Sequence, residues 1–427
     1  MKKVLIISFH FFNNERIASH RIQGLAKNLY KFDWEPTILT VTSNEINSKK
    51  NCNYKIIETP YIDFNAELAK KFHINPNRPP GKTLNIKHDS NKNNIFDRFW
   101  KFSKDMLCYP DVQKWWYKPA IDVGEKLLQH THFDAIISSS SPYTSHLIAK
   151  SLSERYCVPW VADFRDLWTQ NHYFSHSCVR DYFERKLELT IINQASTITI
   201  ISQPLADKLN ELHKSKPIHS IPNGFDPDMM NIGMSLNDQF RIVYTGVLYK
   251  GKRDPSQLFA VIKELCDDET INRQDIKIDF YGFPESWLQD ESNKYQLLDI
   301  VTIFGQVPRE TAIAEQRKAQ ILLLLTWDHP EEKGVYTGKL FDYLAARRPI
   351  ISIGYTECGV VKELLDQTQA GVHVSNKEEL RQYILNAYRE YKEFGAVQYR
   401  GIEEQVMKYS HREMARKFAE VLDGITR

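Results

Sequence analysis

The sequence predicts an α/β protein with two domains, each built on a parallel sheet that helices cover. The chain has 427 residues, which is more than one compact core usually holds. Short apolar runs alternate with helical segments in two separate series, a pattern typical of parallel sheets with both faces buried. A turn-rich stretch without a sustained apolar period, residues 224–238, separates the two series and is predicted to be a linker.

The first domain is expected to span residues 1–223 and to open with a buried strand. Short apolar runs predict its strands, which are Val4–Phe9, Thr37–Thr42, Lys55–Glu58, Ala135–Ser138, Trp160–Asp163, Thr197–Ile201 and Ile218–Ile221. A helical apolar period predicts the helices between them, which are Ile17–Lys31, Val112–Gln129, Thr144–Arg155, Val179–Asn193 and Pro204–His213.

The second domain is expected to span residues 239–409 and to repeat the same alternation. Its predicted strands, with helices between them, are Arg241–Thr245, Ile276–Tyr281, Val301–Phe304, Ile321–Thr326 and Pro349–Ile353. The chain then continues in a helical pattern at Ser410–Leu422. We expect residues 410–427 to form a C-terminal helix that can pack back on the first domain.

An insert at about residues 74–118 interrupts the first series. Its first part, residues 74–95, is rich in Asn, Pro and Lys and is predicted to be a mobile excursion. The part that follows interleaves aromatic residues with lysines. One interpretation is a helical insert that packs on the first domain. The other is an interfacial patch that contacts a membrane or a lipid-linked substrate, because Trp and Lys suit the headgroup zone.

Composition limits the partners and the compartment. A formal net charge of +2 indicates no nucleic-acid partner. The six cysteines form no closely spaced pair, which indicates neither a disulfide framework nor a zinc site and favours a cytoplasmic protein. No apolar run is long enough to cross a bilayer, so any membrane association is expected to be peripheral, on the cytoplasmic face.

The loop after the first strand of the second domain is a candidate anion site. The stretch from Gly246 to Arg253 matches GxxxxGK but places Arg where a P-loop needs Ser or Thr, so it is not a P-loop. The first strand of the chain is not followed by the glycines of a dinucleotide site either. A glycine turn with Lys252 and Arg253 ahead of a helix nevertheless suits a diphosphate. The alternative is a basic surface turn.

The stretch GVYTGKLFDYLAARRPI, residues 334–350, is a second candidate anion site. Gly334 and Gly338 allow close approach to a ligand, and a helix from about Lys339 presents free N–H groups to an anion. Lys339 adds a positive charge, and Asp342 can accept hydrogen bonds from sugar hydroxyls. The alternative is a capped helix with a solvent-facing lysine and aspartate.

Charged residues also follow strands of the first domain. Asp163, Arg165 and Asp166 lie at the end of a predicted strand, the edge of a parallel sheet where ligands gather. His10 and Arg21 flank the first strand–helix turn at the same edge. The alternative is an internal Arg–Asp pair that holds the loop, and both interpretations can be true.

Two further motifs are expected to be structural. The DPD at residues 226–228 imitates a metal-binding DxD motif, but its setting in a Pro-bounded turn favours a structural turn. His146 falls one turn inside a predicted helix, which favours a packing or capping role. We therefore predict no metal site.

These motifs, in this order, resemble a GT-B glycosyltransferase of glycosyltransferase family 4, of the type active in surface-polysaccharide assembly. The motifs that carry the resemblance are IPNGFD at 221–226, YTGVLYKGKRDP at 244–255, VYTGKLFDYLAARRPI at 335–350, and VPWVADFRDLW in the first domain. The resemblance implies two Rossmann-like domains that face each other across a cleft. It also implies a nucleotide-sugar donor on the second domain, an acceptor on the first, retention of configuration and no required cofactor or metal.

The resemblance also implies roles for individual residues. Arg253 and Lys339 would neutralise the donor diphosphate, and Asp342 would hold the ribose. The first acid of the family's acidic pair would fall at Gly334, so Glu332 is the expected substitute. The implied donor-binding residues are Gly246, Lys252, Arg253, Gly334, Tyr336, Thr337, Gly338, Lys339 and Asp342. The implied catalytic residues are Asp163, Asp166 and Glu332, and the implied acceptor-binding residues are His10, Arg21 and Arg165.

The expected activity is retaining transfer of a sugar from a UDP- or GDP-linked donor to a glycan or lipid-linked glycan. One alternative is a nucleotide-sugar epimerase of the same fold. The other is a catalytically silent nucleotide-sugar-binding subunit, because the first acid of the pair is replaced.

Overall fold

The computed structural model describes residues 1–12, 17–42, 53–61, 109–173, 177–231, 235–283, 285–327, 329–354 and 359–426. The expectations for residues 74–108 of the insert lie outside these residues. The chain divides into two compact units. Unit 1 comprises Met1–Ile221 and Arg416–Arg427, and unit 2 comprises Pro222–Ala415.

Unit 1 contains a seven-stranded sheet in which all paired strands are parallel, in the order β3-β2-β1-β4-β5-β6-β7. The strands are β1 Lys2–Ile7, β2 Trp34–Val41, β3 Lys55–Thr59, β4 Ala135–Ser139, β5 Trp160–Asp163, β6 Thr197–Ile200 and β7 Ile218–Ser220. The helices are α1 Ile17–Leu29, α2 Tyr117–His130, α3 Thr144–Tyr156, α4 Cys178–Ile192 and α5 Gln203–Leu212.

The central strands of unit 1 are buried along their whole length, as their continuous apolar sequences require. Large aromatic side chains complete the core, and Trp116 and Trp160 have no exposed surface. Trp116 Nε1 donates a 2.7 Å hydrogen bond to Thr59 Oγ1, which satisfies its polar atom inside the core. Helix α2 begins at Tyr117, five residues later than the period predicts, because a 3₁₀ turn occupies Lys114–Trp116.

Unit 2 contains a six-stranded parallel sheet in the order β10-β9-β8-β11-β12-β13. The strands are β8 Phe240–Thr245, β9 Ile276–Tyr281, β10 Val301–Gly305, β11 Ile321–Leu325, β12 Ile350–Ile353 and β13 Gly371–Val374. The helices are α6 Ser256–Asp267, α7 Ser286–Lys294, α8 Arg309–Lys318, α9 Gly338–Ala346, α10 Val360–Thr368, α11 Lys377–Phe394 and α12 Glu403–Met407. Strand β13 was not predicted, because it is a short edge strand with only one buried residue.

Residues predicted to form a linker are part of unit 2. Phe225 is buried in the core beneath α9, and its backbone pairs with the chain at Tyr409 and His411. The 3₁₀ helix Pro227–Asn231 follows it. An aromatic anchor inside a turn-rich stretch carries no periodic signal, so composition alone predicted a linker here.

The last helix, α13, spans His411–Ile425, and its residues from Arg416 onward belong to unit 1. Asp423 accepts hydrogen bonds from Lys2 Nζ at 2.8 Å and from Trp34 Nε1 at 3.2 Å. Phe418 has no exposed surface and lies under the guanidinium of Arg21, 5.2 Å from its central carbon. In the described part of the chain, no helix is long and apolar enough to cross a membrane.

Candidate functional site

The candidate site of unit 2 lies where the strand order reverses. Strands β8 and β11 are neighbours in the sheet, but the chain leaves β8 toward β9 on one side and leaves β11 toward β12 on the other. The loops that follow the two strands therefore diverge and leave a crevice at their carboxyl ends. In open parallel sheets this is the preferred position for a ligand.

The loop after β8 begins with Gly246, a position where a side chain would crowd its neighbours. Gly246 has φ +107°, and a Cβ built there would lie 3.1 Å from Lys339 Nζ. Its neighbour on the next strand is equally constrained, because a Cβ on Gly282 would lie 2.2 Å from the Gly246 carbonyl oxygen. Gly282 was missed by the sequence analysis, since no motif singles it out. The two glycines therefore allow the Lys339 side chain and the backbone after β9 to pack closely against the loop.

Helix α9 is fixed against the end of β8 by a buried tyrosine. The Tyr343 hydroxyl accepts a hydrogen bond from the Thr245 backbone N–H at 3.0 Å and donates one to the Leu323 carbonyl at 3.2 Å. Burial raises the pKa of Tyr343 to about 12, so the hydroxyl stays protonated. Lys339 precedes Tyr343 by one turn, which places both side chains on the same face of the helix.

Lys339 has an environment that penalises its charge. Its Nζ donates a 2.6 Å hydrogen bond to the Tyr244 hydroxyl and lies 3.9 Å from the centre of the Tyr244 ring. Burial lowers the pKa of Lys339 well below its usual value, and the nearby Arg253 acts in the same direction. Among the described residues, no carboxylate forms an ion pair with Lys339. An arriving anion would supply the missing opposite charge.

The loop after β8 carries two further cations, Lys252 and Arg253. Arg253 Nη1 donates to the Val247 carbonyl at 3.3 Å, and its guanidinium carbon lies 5.3 Å from the Tyr249 ring centre. Lys252 Nζ lies 4.0 Å above the ring of Trp327, in the loop after β11. The ion pairs found in the described part of the chain do not include Arg253. Arg253 therefore contacts a backbone carbonyl and an aromatic ring, and Lys252 also contacts an aromatic ring.

The N-terminus of α9 opens into a pocket beside Arg253. Thr337 is the residue before the helix, its side chain does not cap it, and its Oγ1 is buried without a hydrogen-bond partner among the described residues. The free N–H groups of the first helical turn add to the positive end of the helix dipole. The pocket is lined by Arg253, Thr326, Trp327, Glu332, Lys333, Val335, Thr337, Gly359, Val360, Val361, Lys362 and His373.

This pocket brings together two of the predicted donor-binding residues, Arg253 and Thr337, and the predicted catalytic residue Glu332. Glu332 ends a 3₁₀ turn and lines the pocket together with Arg253 and Thr337. Trp327 and His373 also line it, and neither was predicted. His373 Nδ1 lies 3.1 Å from Ser352 Oγ. The sequence signal for His373 was weak because it lies on the edge strand β13.

Other predicted donor-binding residues are placed differently. Tyr336 turns away from the pocket and packs edge-on against Phe341, with ring centres 5.7 Å apart. Gly334 is buried in the loop that precedes α9. Asp342 lies in the second turn of α9, and both of its carboxylate oxygens accept hydrogen bonds from Arg309, at 2.7 and 3.1 Å.

In unit 1, Asp163 and Arg21 have a different role from the predicted one. Arg21 donates two hydrogen bonds to Asp163, at 2.8 and 3.1 Å, and both side chains are fully buried. Ser139 and Thr199 donate to the same carboxylate at 2.9 and 2.8 Å. The pair holds β4, β5, β6 and α1 together, and neither side chain reaches solvent. A buried, fully hydrogen-bonded ion pair does not contact an acceptor.

The remaining charged residues of this edge are accessible. Asp166 is exposed, and Arg165 and His10 are half-buried. Arg165 donates to the carbonyls of Ser140 and Ser141, at 2.6 and 3.2 Å. His10 follows β1, and its ring packs edge-on against Phe9. These three residues remain the candidates for acceptor binding in unit 1.

The two motifs expected to be structural are indeed integrated into the fold. Asp226 Oδ1 accepts a 3.1 Å hydrogen bond from the Asp228 backbone N–H, which forms a turn. His146 is fully buried, with Nδ1 2.7 Å from Ser138 Oγ, and burial lowers its pKa to about 3. Within the described ranges, no group of three or more His, Cys, Asp or Glu side chains is placed to hold a metal ion.

Comparison with known proteins is consistent with this architecture. Residues 106–229 match the family model Glycosyltransferase Family 4. Comparison with curated proteins gave no match.

Solved structures match along the whole chain. Sucrose-phosphate synthase from Thermosynechococcus elongatus has a TM-score of 0.62 and 12% identity over 99% of each chain. Anabaena HepE in complex with UDP has a TM-score of 0.61 and 11% identity over 99% of this chain and 100% of its own. The E. coli trehalose-6-phosphate protein bound with UDP-2-fluoro glucose has a TM-score of 0.58 and 12% identity over 99% of each chain. The chain has the GT-B fold, with two parallel-sheet α/β units.

Proposed function

We propose that this protein is a retaining glycosyltransferase that transfers a sugar from a nucleotide-sugar donor to a glycan or lipid-linked glycan in surface-polysaccharide biosynthesis. The observation that carries the proposal is the pairing of Lys339 and Arg253 at the N-terminus of α9. Neither has a carboxylate partner among the described residues, and burial disfavours the charge of Lys339. Two neighbouring cations without a carboxylate partner in the described part of the chain favour the binding of an anion.

A diphosphate fits this site better than a single carboxylate does. The donors at this site are backbone N–H groups of the first turn of α9, two cations and the Thr337 hydroxyl, which has no partner among the described residues. They are more than one carboxylate can satisfy. Gly246, which has no side chain, allows the Lys339 ammonium to lie close to the backbone of this loop. The bound diphosphate would gain charge when the sugar–phosphate bond breaks, and preorganised donors stabilise that developing charge.

UDP is the proposed donor nucleotide. Two solved structures of the same fold are complexes with UDP and with UDP-2-fluoro glucose. Both support a uridine nucleotide as the donor.

Glu332 is proposed to bind hydroxyls of the donor sugar in place of the acid that Gly334 replaces. Its position in the pocket with Arg253 supports this role. Retention of configuration rests on the resemblance of the motifs to family 4. With leaving-phosphate assistance, the reaction would need no general base from the protein.

The acceptor is proposed to bind at the carboxyl edge of the unit 1 sheet, near His10, Arg165 and Asp166. Arg165 and Asp166 follow β5 at this edge, within the region that matches the family model. Asp163 and Arg21 would maintain the shape of this edge without touching the acceptor.

The test is a transfer assay with purified protein, UDP-sugars and a lipid-linked or glycan acceptor. We expect release of UDP together with a new glycosidic bond of the same anomeric configuration, read by NMR. Arg253→Ala is expected to abolish transfer while Lys277→Ala, at the opposite edge of the sheet, retains it. An Arg253→Ala variant with full activity would contradict the proposal. An altered sugar with free UDP and no glycoside would indicate an epimerase.

A further inference from the structure

Arg309 forms a two-pronged contact with the only acid of α9. Arg309 is the first residue of α8, and its Nη1 and Nη2 reach the two different oxygens of the Asp342 carboxylate, at 3.1 and 2.7 Å. The Arg309 and Asp342 side chains retain 32% and 20% exposure. The contact therefore has a defined bidentate geometry, and both side chains remain accessible to solvent and to a ligand.

This geometry uses one particular edge of the carboxylate. When a guanidinium contacts both oxygens at once, it takes the inward-facing lone pair of each oxygen. The two remaining lone pairs point outward in divergent directions. Two adjacent hydroxyls on a sugar ring have to approach the same edge to donate to both oxygens. Arg309 and a vicinal diol therefore compete for Asp342.

Asp342 is also at the correct place along the helix for such a diol. It follows Lys339 by three residues, so the two side chains are neighbours on the surface of α9. A ligand whose diphosphate contacts Lys339 would carry its ribose toward Asp342. This argument rests on the proposed function, because it takes the nucleotide diphosphate as the ligand of the site.

We propose that Arg309 is a specificity-determining residue that occupies Asp342 until the ribose diol of a nucleotide displaces it. A diol replaces both hydrogen bonds of the guanidinium, whereas a ligand without adjacent hydroxyls replaces at most one. Ion pairs between partly exposed side chains contribute little to stability. The hydrogen bonds of a ribose diol are therefore strong enough to replace those of Arg309 at Asp342. The pair thereby lowers the affinity for every ligand that has to open it.

The test is calorimetric titration of UDP into the wild type, Arg309→Met, Asp342→Asn and the double variant. We expect Arg309→Met to bind UDP about two- to fivefold more tightly, because the diol no longer has to displace a guanidinium. Asp342→Asn should bind UDP more weakly. Adding Arg309→Met to Asp342→Asn should give no gain, since the competition needs the carboxylate.

Inorganic pyrophosphate is the control ligand, because it contacts the cations and has no ribose. Its affinity should not increase in Arg309→Met. Equal or weaker UDP binding by Arg309→Met would overturn this inference while leaving the proposed function intact. Failure of the wild type to bind any nucleoside diphosphate would overturn both.

Discussion

Lys339 Nζ donates a 2.6 Å hydrogen bond to the hydroxyl of Tyr244 and lies 3.9 Å from the centre of the same ring. The lysine thus has a neutral hydroxyl as its partner where a structural lysine would have a carboxylate. The Tyr244 pKa is raised by burial, so this hydroxyl does not ionise to compensate the lysine. Nearby Arg253 adds a second positive charge. The free protein holds this charge at a cost, which a bound anion would remove.

Replacement of Lys339 by Met should weaken UDP binding by at least about tenfold, because charge-assisted hydrogen bonds contribute about 1.5–3 kcal/mol. The measurement is isothermal titration calorimetry at low ionic strength. Lys277→Met is the matched control, since Lys277 lies near the start of β9 at the opposite edge of the sheet. Equal affinities of wild type and Lys339→Met for UDP and GDP would contradict the assignment of Lys339 to the diphosphate.

The lowered pKa of Lys339 should make UDP binding depend on pH. At a pH below the pKa of the free protein the lysine is charged before and after binding, and the affinity is at its maximum. As the pH rises through that lowered pKa, binding requires uptake of one proton, because the diphosphate favours the charged lysine. The affinity should then fall by up to about tenfold per pH unit.

This dependence can be measured by titrating UDP between about pH 7 and 9.5, where the nucleotide phosphates are already ionised, since a terminal phosphate has a pKa of about 6. Lys339→Arg is the control because a guanidinium stays charged throughout this range. Its profile should be flat, whatever its absolute affinity. Parallel profiles for wild type and Lys339→Arg would show that another group titrates.

The order of strands and helices could be predicted because short apolar runs and helical periods are local features of the sequence. The runs Trp160–Asp163 and Ile321–Leu325 are short and mostly apolar, and strands form over these same residues. The edge strand Gly371–Val374 was missed because half-exposed residues give no such run. Phe225 was missed because burial of a single aromatic residue depends on the packing of a distant segment.

The candidate site was predictable in part for the same reason. Lys339 and Arg253 belong to motifs with glycines and helix starts, so the sequence indicated them. Whether a charged residue faces a pocket or an ion-pair partner depends on the tertiary structure. Arg21 and Asp163 are separated by 142 positions in the chain, yet they form a buried pair. No local sequence pattern predicts that pairing or the contact of Arg309 with Asp342.

His146 should contribute to the loss of stability in acid. Its pKa is about 3 in the folded protein and about 6.5 in an unfolded chain, because burial disfavours the charged ring. As the pH falls below 6.5 the unfolded chain takes up a proton that the folded protein does not, so unfolding is favoured. Between pH 7 and pH 5 this residue should account for about 2 kcal/mol of lost stability.

Urea unfolding at the two pH values, in the wild type and in His146→Gln, measures this contribution. Glutamine does not titrate, so the variant should lose less stability on acidification, even if it is less stable at pH 7. An identical loss in both proteins would assign the acid sensitivity to other groups, such as the carboxylates.

Replacement of Arg21 by Met should destabilise unit 1 by about 3–5 kcal/mol, because it leaves the Asp163 carboxylate buried without its counter-charge. Adding Asp163→Asn removes that stranded charge and should recover much of the loss, since the amide oxygen can still accept from one of the Ser139 and Thr199 hydroxyls and the amide NH2 can donate to the other. Chemical denaturation of the single and double variants measures both effects. The affinity for UDP should be unchanged in the folded double variant, because the proposed diphosphate site lies in unit 2. A stable Arg21→Met protein that fails only in acceptor use would instead restore Arg21 as an acceptor-binding residue.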